Sequence, residues 1–592
     1  MKKLVLQFLA VILIFAIGGC GINKMIKNAN NMNYNVTPNP LEMHAGKVPM
    51  SISVTFPPKF FNKQAYLVVT PYLVSDIDNE SEIAFRSQTL QGEKVKDNNP
   101  IISYKNGGSY KYVDTVDYDE IYRKSHVELR MKVSKGASGQ KLDLAVVTIA
   151  NGIITTPELV TKGLMVDNPV VETADGKKQG LMSTIVPTIS KPQSREFAER
   201  LVLYYPLQQS YLPKKEQSKE EVEVFLNKFK EFKDDPNLNL LGLDIASYAS
   251  PDGPIPLNHD LVYGRGNTAT KFMSKKFKRE DIVETMKRAT TPDEDWEGLK
   301  NLVQSSDLKD KDLILRVLQM YSDPNVREQE IKKMAEVYEV LKEDILPKLR
   351  RSEIKAKFKS VERTDAQYVD VAKNNPNILS QEELLYSAQV AQGTDKEVVY
   401  KKYIETYPND WRAYNNLGVY YLENGELDNA ETQLVKANDL DANNPSVINN
   451  LGVFYWLKGD YKKAKEYFQK AANLSGVNEN VNYNLGVLAI IEGKYQDALD
   501  LFGTRPTFNK ALAQLLTGDA QAAENTINQV ESQCVYYYYL KAVIAARLDK
   551  ADEVYTNLQR VVSKVPDLKE YVKNDLEFRK YFDEDQFKAI VE

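Results

Sequence analysis

Three short stretches of this chain spell the same words at a fixed interval. Asn416-Leu417-Gly418-Val419, Asn450-Leu451-Gly452-Val453 and Asn484-Leu485-Gly486-Val487 follow one another every 34 residues. Seven residues after each of these glycines comes another (Gly425, Gly459, Gly493), five further on an alanine (Ala430, Ala464, Ala498), and four beyond that a large apolar residue (Leu434, Phe468, Phe502). A period of this length is one supersecondary unit, which buries its apolar face only by stacking on copies of itself. The first glycine and the alanine let two helices approach closely. The middle glycine breaks the chain between them, and the Leu or Phe fills the space where they meet. The spacing therefore predicts helix–turn–helix units from Trp411 to Phe502, stacked into an all-α solenoid.

This pattern resembles the tetratricopeptide repeat, which implies a concave surface that receives partner proteins and performs no catalysis. In some members of that family the Asn before Leu-Gly lines the groove and holds the backbone of an extended peptide. Asn416, Asn450 and Asn484 match that position and are the candidate protein-binding residues; the competing reading is that Asn merely suits a helix surface. A carboxylate-clamp groove would need Lys and Asn where this chain has Asn415 and Val419, so that version is absent. Tyr420, Tyr421, Tyr455 and Trp456 are expected partly in interhelical packing. Tyr536 to Tyr539 cannot all face inwards on one helix, which predicts an aromatic contact surface. Leu384, Leu385, Ala388 and Gly393 read as a divergent first repeat ending at Tyr407-Pro408. Beyond Phe502 the register contracts, with Gly518-Asp519 arriving early. A further helix pair (Tyr536–Ala546, Val554–Val562) and terminal helices that cap the array complete a repeat domain at 379–592.

At the other end, Lys2-Lys3, an apolar run from Leu4 to Ile17 and then Gly18-Gly19-Cys20 have the layout of a secretory signal over residues 1–19. Small residues before a cysteine resemble the lipobox of bacterial lipoproteins, which implies that Cys20 is lipidated and becomes the new N-terminus. Several acyl chains anchor durably where one would not. The alternative is a plain signal peptide or an uncleaved anchor, with Cys20 incidental. No acidic cluster follows Cys20, so the expected location is the outer membrane, facing the periplasm. Asn-rich residues 20–40, closed by Pro38 and Pro40, read as a lipid-anchored linker.

From about 41 to 190 the pattern has period two. Val127, Leu129, Met131 and Val133 alternate with Glu128, Arg130, Lys132 and Ser134. Similar strands at 50–57, 65–74, 101–104 and 142–150, with turns at Asn106-Gly107-Gly108 and Asn151-Gly152, predict a β-sandwich. From about 195 strand and helix alternate. Leu201 to Tyr205 reads as a strand. Ser218 with Glu221 reads as a capping box opening a helix, and Leu240 to Tyr248 as a second strand. A turn through Ser250, Asp252 and Gly253 leads to a helix carrying Asn258, Leu261 and Arg265.

That succession resembles the OmpA-like peptidoglycan-binding domain, here over about 198–359. Gly253, Asn258, Leu261 and Arg265 fall on the family's positions, and Arg350-Arg351-Ser352-Glu353-Ile354 resembles its closing strand. The resemblance implies that an acid three residues before the glycine takes the ammonium of diaminopimelate, and that Arg265 takes its carboxylate. Ser250 stands where that acid belongs and cannot neutralise an ammonium. Asp252, in the same loop, is the candidate substitute, and the open alternative is a domain that binds no glycan. The central α+β domain is thus expected at 195–360, with a helical insert at about 279–345 and a polar connection at 360–378.

A net charge of -5 argues against a nucleic-acid partner. With three histidines in 592 residues a His-rich metal site is nearly excluded. His44 and His126 read as surface or strand residues, and His259 as a polar residue at a helix start. No Ser–His–Asp order, metal-ligand spacing or phosphate loop appears, so no enzyme and no cofactor are expected. The overall order resembles envelope lipoproteins of Bacteroidetes. It implies a periplasmic scaffold that binds proteins and, through Ser250, Asp252, Asn258 and Arg265, peptidoglycan. The alternative is a structural subunit of an outer-membrane assembly or secretion complex that binds no glycan.

Overall fold

The computed structural model describes residues 20–592 except 79, 137–138, 173–175, 177, 278–279 and 476–477. The expected signal peptide at 1–19 lies outside the described residues. The chain divides into two compact units. Met1–Pro187 and Asn409–Glu592 form the first, and Thr188–Pro408 the second.

The first unit begins with helix α1 (Cys20–Lys27) and strand β1 (Asn33–Thr37). Residues 20–40, expected as a linker, are instead folded. Ile22, Met25, Met32 and Val36 are buried, and β1 pairs antiparallel with β2 (Lys47–Phe56). The asparagines between them hide this apolar spacing in the sequence. Next come β3 (Ala65–Ser75), β4 (Gln88–Gly92), β5 (Gly108–Asp117), β6 (Ser125–Lys135) and β7 (Leu142–Asn151). Among the described residues these build one sheet in the order β1-β2-β5 and a second in the order β7-β6-β3-β4. The alternation read from the sequence sets the register. Leu67 faces Val133, Val69 faces Met131, and Leu73 faces Val127 across β3 and β6. These side chains and Met50, Ile52 and Val54 of β2 share one core, so the two sheets form the expected sandwich. Helix α2 (Leu159–Asp167) and a hairpin of β8 (Val170–Glu172) and β9 (Lys178–Gly180) follow.

The second unit carries β10 (Glu196–Tyr204), α3 (Glu220–Asp234), β11 (Leu238–Ser247), α4 (Ile255–Phe277), β12 (Met286–Arg288) and β13 (Arg351–Ser360). Their sheet order is β10-β13-β11-β12, so the closing strand lies between the first two. The expected capping box at Ser218 does not form. A short turn at Lys214–Gln217 captures that serine, whose hydroxyl donates back to the Lys214 carbonyl (3.1 Å), and α3 starts beyond it. The insert between β12 and β13 is helical and has its own core, including Leu299, Val303, Ile314 and Leu341. The expected polar connection at 360–378 contains a helix (Asp365–Asn374) opened by a genuine capping box of Thr364 and Gln367. A pair of helices, Gln381–Val390 and Thr394–Thr406, completes the unit.

The three regular repeats belong to the first unit. Helices α5 (Trp411–Glu423) and α6 (Leu427–Leu440), α7 (Pro445–Leu457) and α8 (Tyr461–Ser475), and α9 (Glu479–Ile491) and α10 (Tyr495–Phe502) form the three regular pairs. A Cβ on Gly418, Gly452 or Gly486 would lie 2.5–2.7 Å from Leu434, Phe468 or Phe502, the residue that fills each pair. That is closer than two carbons approach, which is why the position is glycine in all three copies. Helix α11 (Phe508–Leu516), Ala520–Ile527, Val535–Arg547 and Ala551–Lys564 continue the array. The tyrosine cluster does not form one exposed face. Tyr538 and Tyr539 are buried, the Tyr539 hydroxyl bonds Asp575, and Tyr536 lies under Lys162 of α2. Among the described residues no helix is long and apolar enough to cross a membrane.

Candidate functional site

Helices α5, α7 and α9 line one face of the solenoid, and each carries its Asn at the same turn. Asn416, Asn450 and Asn484 are buried, as are Asn415 and Asn449 beside the first two. Buried amides need partners, and these find them in an extended stretch of the same chain, residues 183–187. Asn484 Oδ1 accepts the Ser183 N–H and its Nδ2 donates to the Ser183 carbonyl, both at 2.8 Å. Asn450 holds Ile185 in the same two-handed way, again at 2.8 Å for both bonds. At the third rung Asn416 Nδ2 reaches the Pro187 carbonyl at 3.5 Å. The three rungs therefore meet every second residue of the strand, the period at which an extended chain shows one edge.

The two flanking asparagines reinforce the ladder. Asn449 Nδ2 donates to the Ser183 carbonyl (2.9 Å) and Asn415 Nδ2 to the Ile185 carbonyl (3.1 Å). Amide-to-amide bonds run from Asn484 to Asn449 (3.0 Å), on to Asn450 (3.2 Å), to Asn415 (2.9 Å) and to Asn416 (3.0 Å). All point the same way, so each link polarises the next. Side chains are read at two points. The Ser183 hydroxyl donates to Asn480 Oδ1 (2.9 Å), and Ile185 packs on the cluster of Ile448, Ala471 and Val481.

Sequence reasoning located Asn416, Asn450 and Asn484 from their spacing but missed Asn415 and Asn449. It also counted the bound strand with the β-sandwich. The available signal was Leu181 to Pro187, an uncharged run where a connection between domains would ordinarily be polar.

The sandwich is fastened to the array beside this groove. The Asp167 carboxylate at the end of α2 accepts from Tyr483 Oη (2.8 Å) and from the N–H groups of Phe508 (2.7 Å) and Asn509 (3.2 Å), which open α11. Burial pushes this carboxyl up to about 6, against the pull of those bonds and the Arg505 charge. Gly163 sits against Asn509 and Phe508, where a Cβ would have no room. His44 Nδ1 lies 2.7 Å from Tyr495 Oη, and the Thr156 hydroxyl donates to Glu577, which Arg547 holds from the other side. The other two histidines face carboxylates, His126 at Asp76 (2.7 Å) and His259 at Asp293 (2.9 Å).

In the second unit, Ser250, Asn258, Leu261 and Arg265 of the OmpA-like pattern are buried, and Asp252 and Gly253 are partly buried. Arg265 is 1 % exposed. Its Nε donates to the Gln209 carbonyl (3.1 Å) and its Nη1 to the Tyr248 carbonyl (2.7 Å), and burial pulls its guanidinium down to about 10. Asn258 Nδ2 donates to the Gly253 carbonyl (2.9 Å) and to Glu294 (3.2 Å). Ser250 and Asp252 do meet, as the Ser250 hydroxyl donates to Asp252. Arg350 then covers both, with Nε 3.1 Å from the Ser250 hydroxyl and Nη2 3.2 Å from the Asp252 carboxylate. Trp296, Ile331, Tyr338 and Leu341 of the insert line one small pocket together with Pro251 and Asp252.

Residues 399–432 and 445–478 match family models of the tetratricopeptide repeat. A comparison with curated protein sequences gave no match. Among solved structures, one from a functional characterisation of pilF of Pseudomonas aeruginosa is 18% identical, covers 37% of this chain and 98% of its own, and has a TM-score of 0.29. A tetratricopeptide repeat protein from Parabacteroides merdae is 15% identical over 42% of this chain and 98% of its own, with a TM-score of 0.28. Yeast Tom70 is 12% identical over 57% of this chain and 78% of its own, with a TM-score of 0.27. The C-terminal region thus contains tetratricopeptide repeats, an architecture that presents surfaces to other proteins.

Proposed function

We propose that this chain is an outer-membrane lipoprotein, anchored through Cys20, that acts as a non-enzymatic scaffold for protein partners in the periplasm. The observation that carries the reading is the asparagine ladder, a concave face that grips an extended main chain by its amides rather than by its side chains. Ile22 is already buried, so a lipid on Cys20 would hold the sandwich close against the membrane.

A second reading shares the anchor and the scaffold but gives the chain a structural place in an outer-membrane assembly or secretion complex, with an OmpA-like domain that binds no glycan. The Arg350–Asp252 pair favours it. In the pattern this domain resembles, the acid awaits the ammonium of diaminopimelate; here Arg350 already occupies the carboxylate that could substitute for it. Arg265, the residue matched to the ligand's carboxylate, is spent on two main-chain carbonyls.

Crosslinking in intact cells followed by affinity capture tests the scaffold. A defined envelope protein should be recovered reproducibly, and recovery should fall when Asn416, Asn450 and Asn484 are all replaced by Ala with helicity retained. Capture of no protein other than the chain itself would sink the reading. Unchanged recovery from the triple variant would move the interface off the concave face.

A further inference from the structure

We propose that the repeat groove is a peptide site held shut by residues 181–187, and that a partner enters as an extended segment by displacing them. This rests on the scaffold reading and deepens it, because the displaced segment spells out what the groove accepts. The ladder reads main-chain amides at alternate residues, so the ligand is an extended strand with little sequence demanded of it. Two side-chain requirements remain. The Ile185 place takes a branched apolar residue against Ile448 and Val481, and the Ser183 place takes a small hydroxyl that can reach Asn480.

The internal segment is an imperfect ligand at one point. Pro187 has no N–H, so Asn416 holds it by the carbonyl alone, at 3.5 Å, while Asn450 and Asn484 each make two bonds of 2.8 Å. Asn416 Oδ1 accepts from Asn415, as Asn450 Oδ1 accepts from Asn449, and the latter still takes the Ile185 N–H. An incoming strand with any residue but proline at this place can complete the third pair. The segment therefore loosens from its Pro187 end, where a competitor gains most. Leu181 and Met182 are buried and hold the other end. A tethered ligand competes at roughly millimolar effective concentration, so the closed groove rejects all but a better-matched or locally abundant strand.

The test uses the full chain and a labelled synthetic peptide with the sequence of residues 180–189, with and without Pro187→Ala, read by fluorescence anisotropy. Wild type should bind either peptide weakly. Ile185→Asp, which puts a charge into the apolar cluster and expels the internal segment, should bind at least tenfold tighter. Adding Asn450→Ala and Asn484→Ala should abolish that gain. The Pro187→Ala peptide should bind several-fold tighter than the native sequence. An Ile185→Asp chain with native helicity and no gain would overturn the proposal. Should that variant fail to fold, hydrogen exchange on wild type decides. The amides of Ser183 and Ile185 should exchange well before those of α7 and α9, and exchange only together with those helices would overturn the proposal as well. A partner still captured in cells when the peptide arm is negative leaves the scaffold standing and removes only the gated groove.

Discussion

Replacing Asp167 by asparagine should abolish a pH dependence that the wild-type protein carries in the joint between its sandwich and its repeats. The carboxyl rises from its ordinary 3.8 to about 6 because burial disfavours the charge more than three hydrogen bonds favour it. A folded-state value above the unfolded one means that the folded protein holds the proton more tightly. The stabilisation is complete below about 3.8 and is lost as pH climbs through about 6. The whole shift is worth about 3 kcal/mol, at 1.36 kcal/mol per unit, of which roughly 1.4 kcal/mol falls between about pH 5 and pH 7.5. The asparagine Oδ1 keeps the Phe508 N–H, while its Nδ2 replaces the oxygen that faced Tyr483 and the Asn509 N–H; those lost bonds are an offset that does not change with pH, so the comparison isolates the titration. Asp575 and Glu158 are also raised by burial, to about 6 and about 7, but they are common to both proteins and cancel in the difference. The measurement is urea unfolding followed by far-UV circular dichroism at the two pH values. Wild type should lose about 1.4 kcal/mol relative to Asp167→Asn on going to the higher pH. A difference that does not move with pH, or moves the other way, would show that the carboxyl is not sealed in this joint.

Gly452→Ala should destabilise the repeats by about 1–2 kcal/mol, because overpacking against Phe468 outweighs the helix-propensity gain of up to about 1 kcal/mol; a higher unfolding midpoint would contradict the close approach. Wild-type protein should stay in the supernatant when peptidoglycan is sedimented, and Ser250→Asp should not bring it down, since Arg350 already occupies the loop; salt-sensitive sedimentation of either would reopen the glycan reading. Arg350→Ala should cost roughly 1.5–3 kcal/mol by removing the charged partner of the partly buried Asp252, which keeps only the Ser250 hydroxyl, seen as a lowered urea midpoint. Cys20→Ala should release the protein from the outer-membrane fraction or leave it as an uncleaved precursor, and normal fractionation would count against the anchor.

The repeats were legible because their constraint is local and written three times: Gly486 cannot carry a Cβ beside Phe502, and its two predecessors obey the same rule. The sandwich was legible in strands such as β6, where alternation is unbroken. Residues 20–40 were not, because asparagines outnumber the five buried apolar residues (Ile22, Met25, Ala29, Met32 and Val36) and their helical and strand spacings meet in one short stretch. Ser218 and Thr364 show how thin a cap signal is. Both precede a Glu or Gln by three residues, yet only Thr364 is free to cap, since a preceding turn takes the Ser218 hydroxyl. The groove was half legible. Its asparagines could be placed from a 34-residue rule, but nothing local told Asn449 to face Ser183 across more than 260 residues of chain.

The first unit is made from the two ends of the sequence, with Thr188–Pro408 inserted between them. During synthesis, at about 5–20 residues per second, the inserted stretch alone occupies roughly 10–45 seconds. Throughout that interval α2 has no α11 to receive Asp167, and Ile185 has no Ile448 or Val481 to pack against. The stretch that the asparagine ladder holds is thus exposed before its partner exists. A chain cut after Pro408 would keep it exposed for good. Whatever escorts the growing chain has Ile185 and the end of α2 to shield, and that part of its task ends when α9 and α11 arrive.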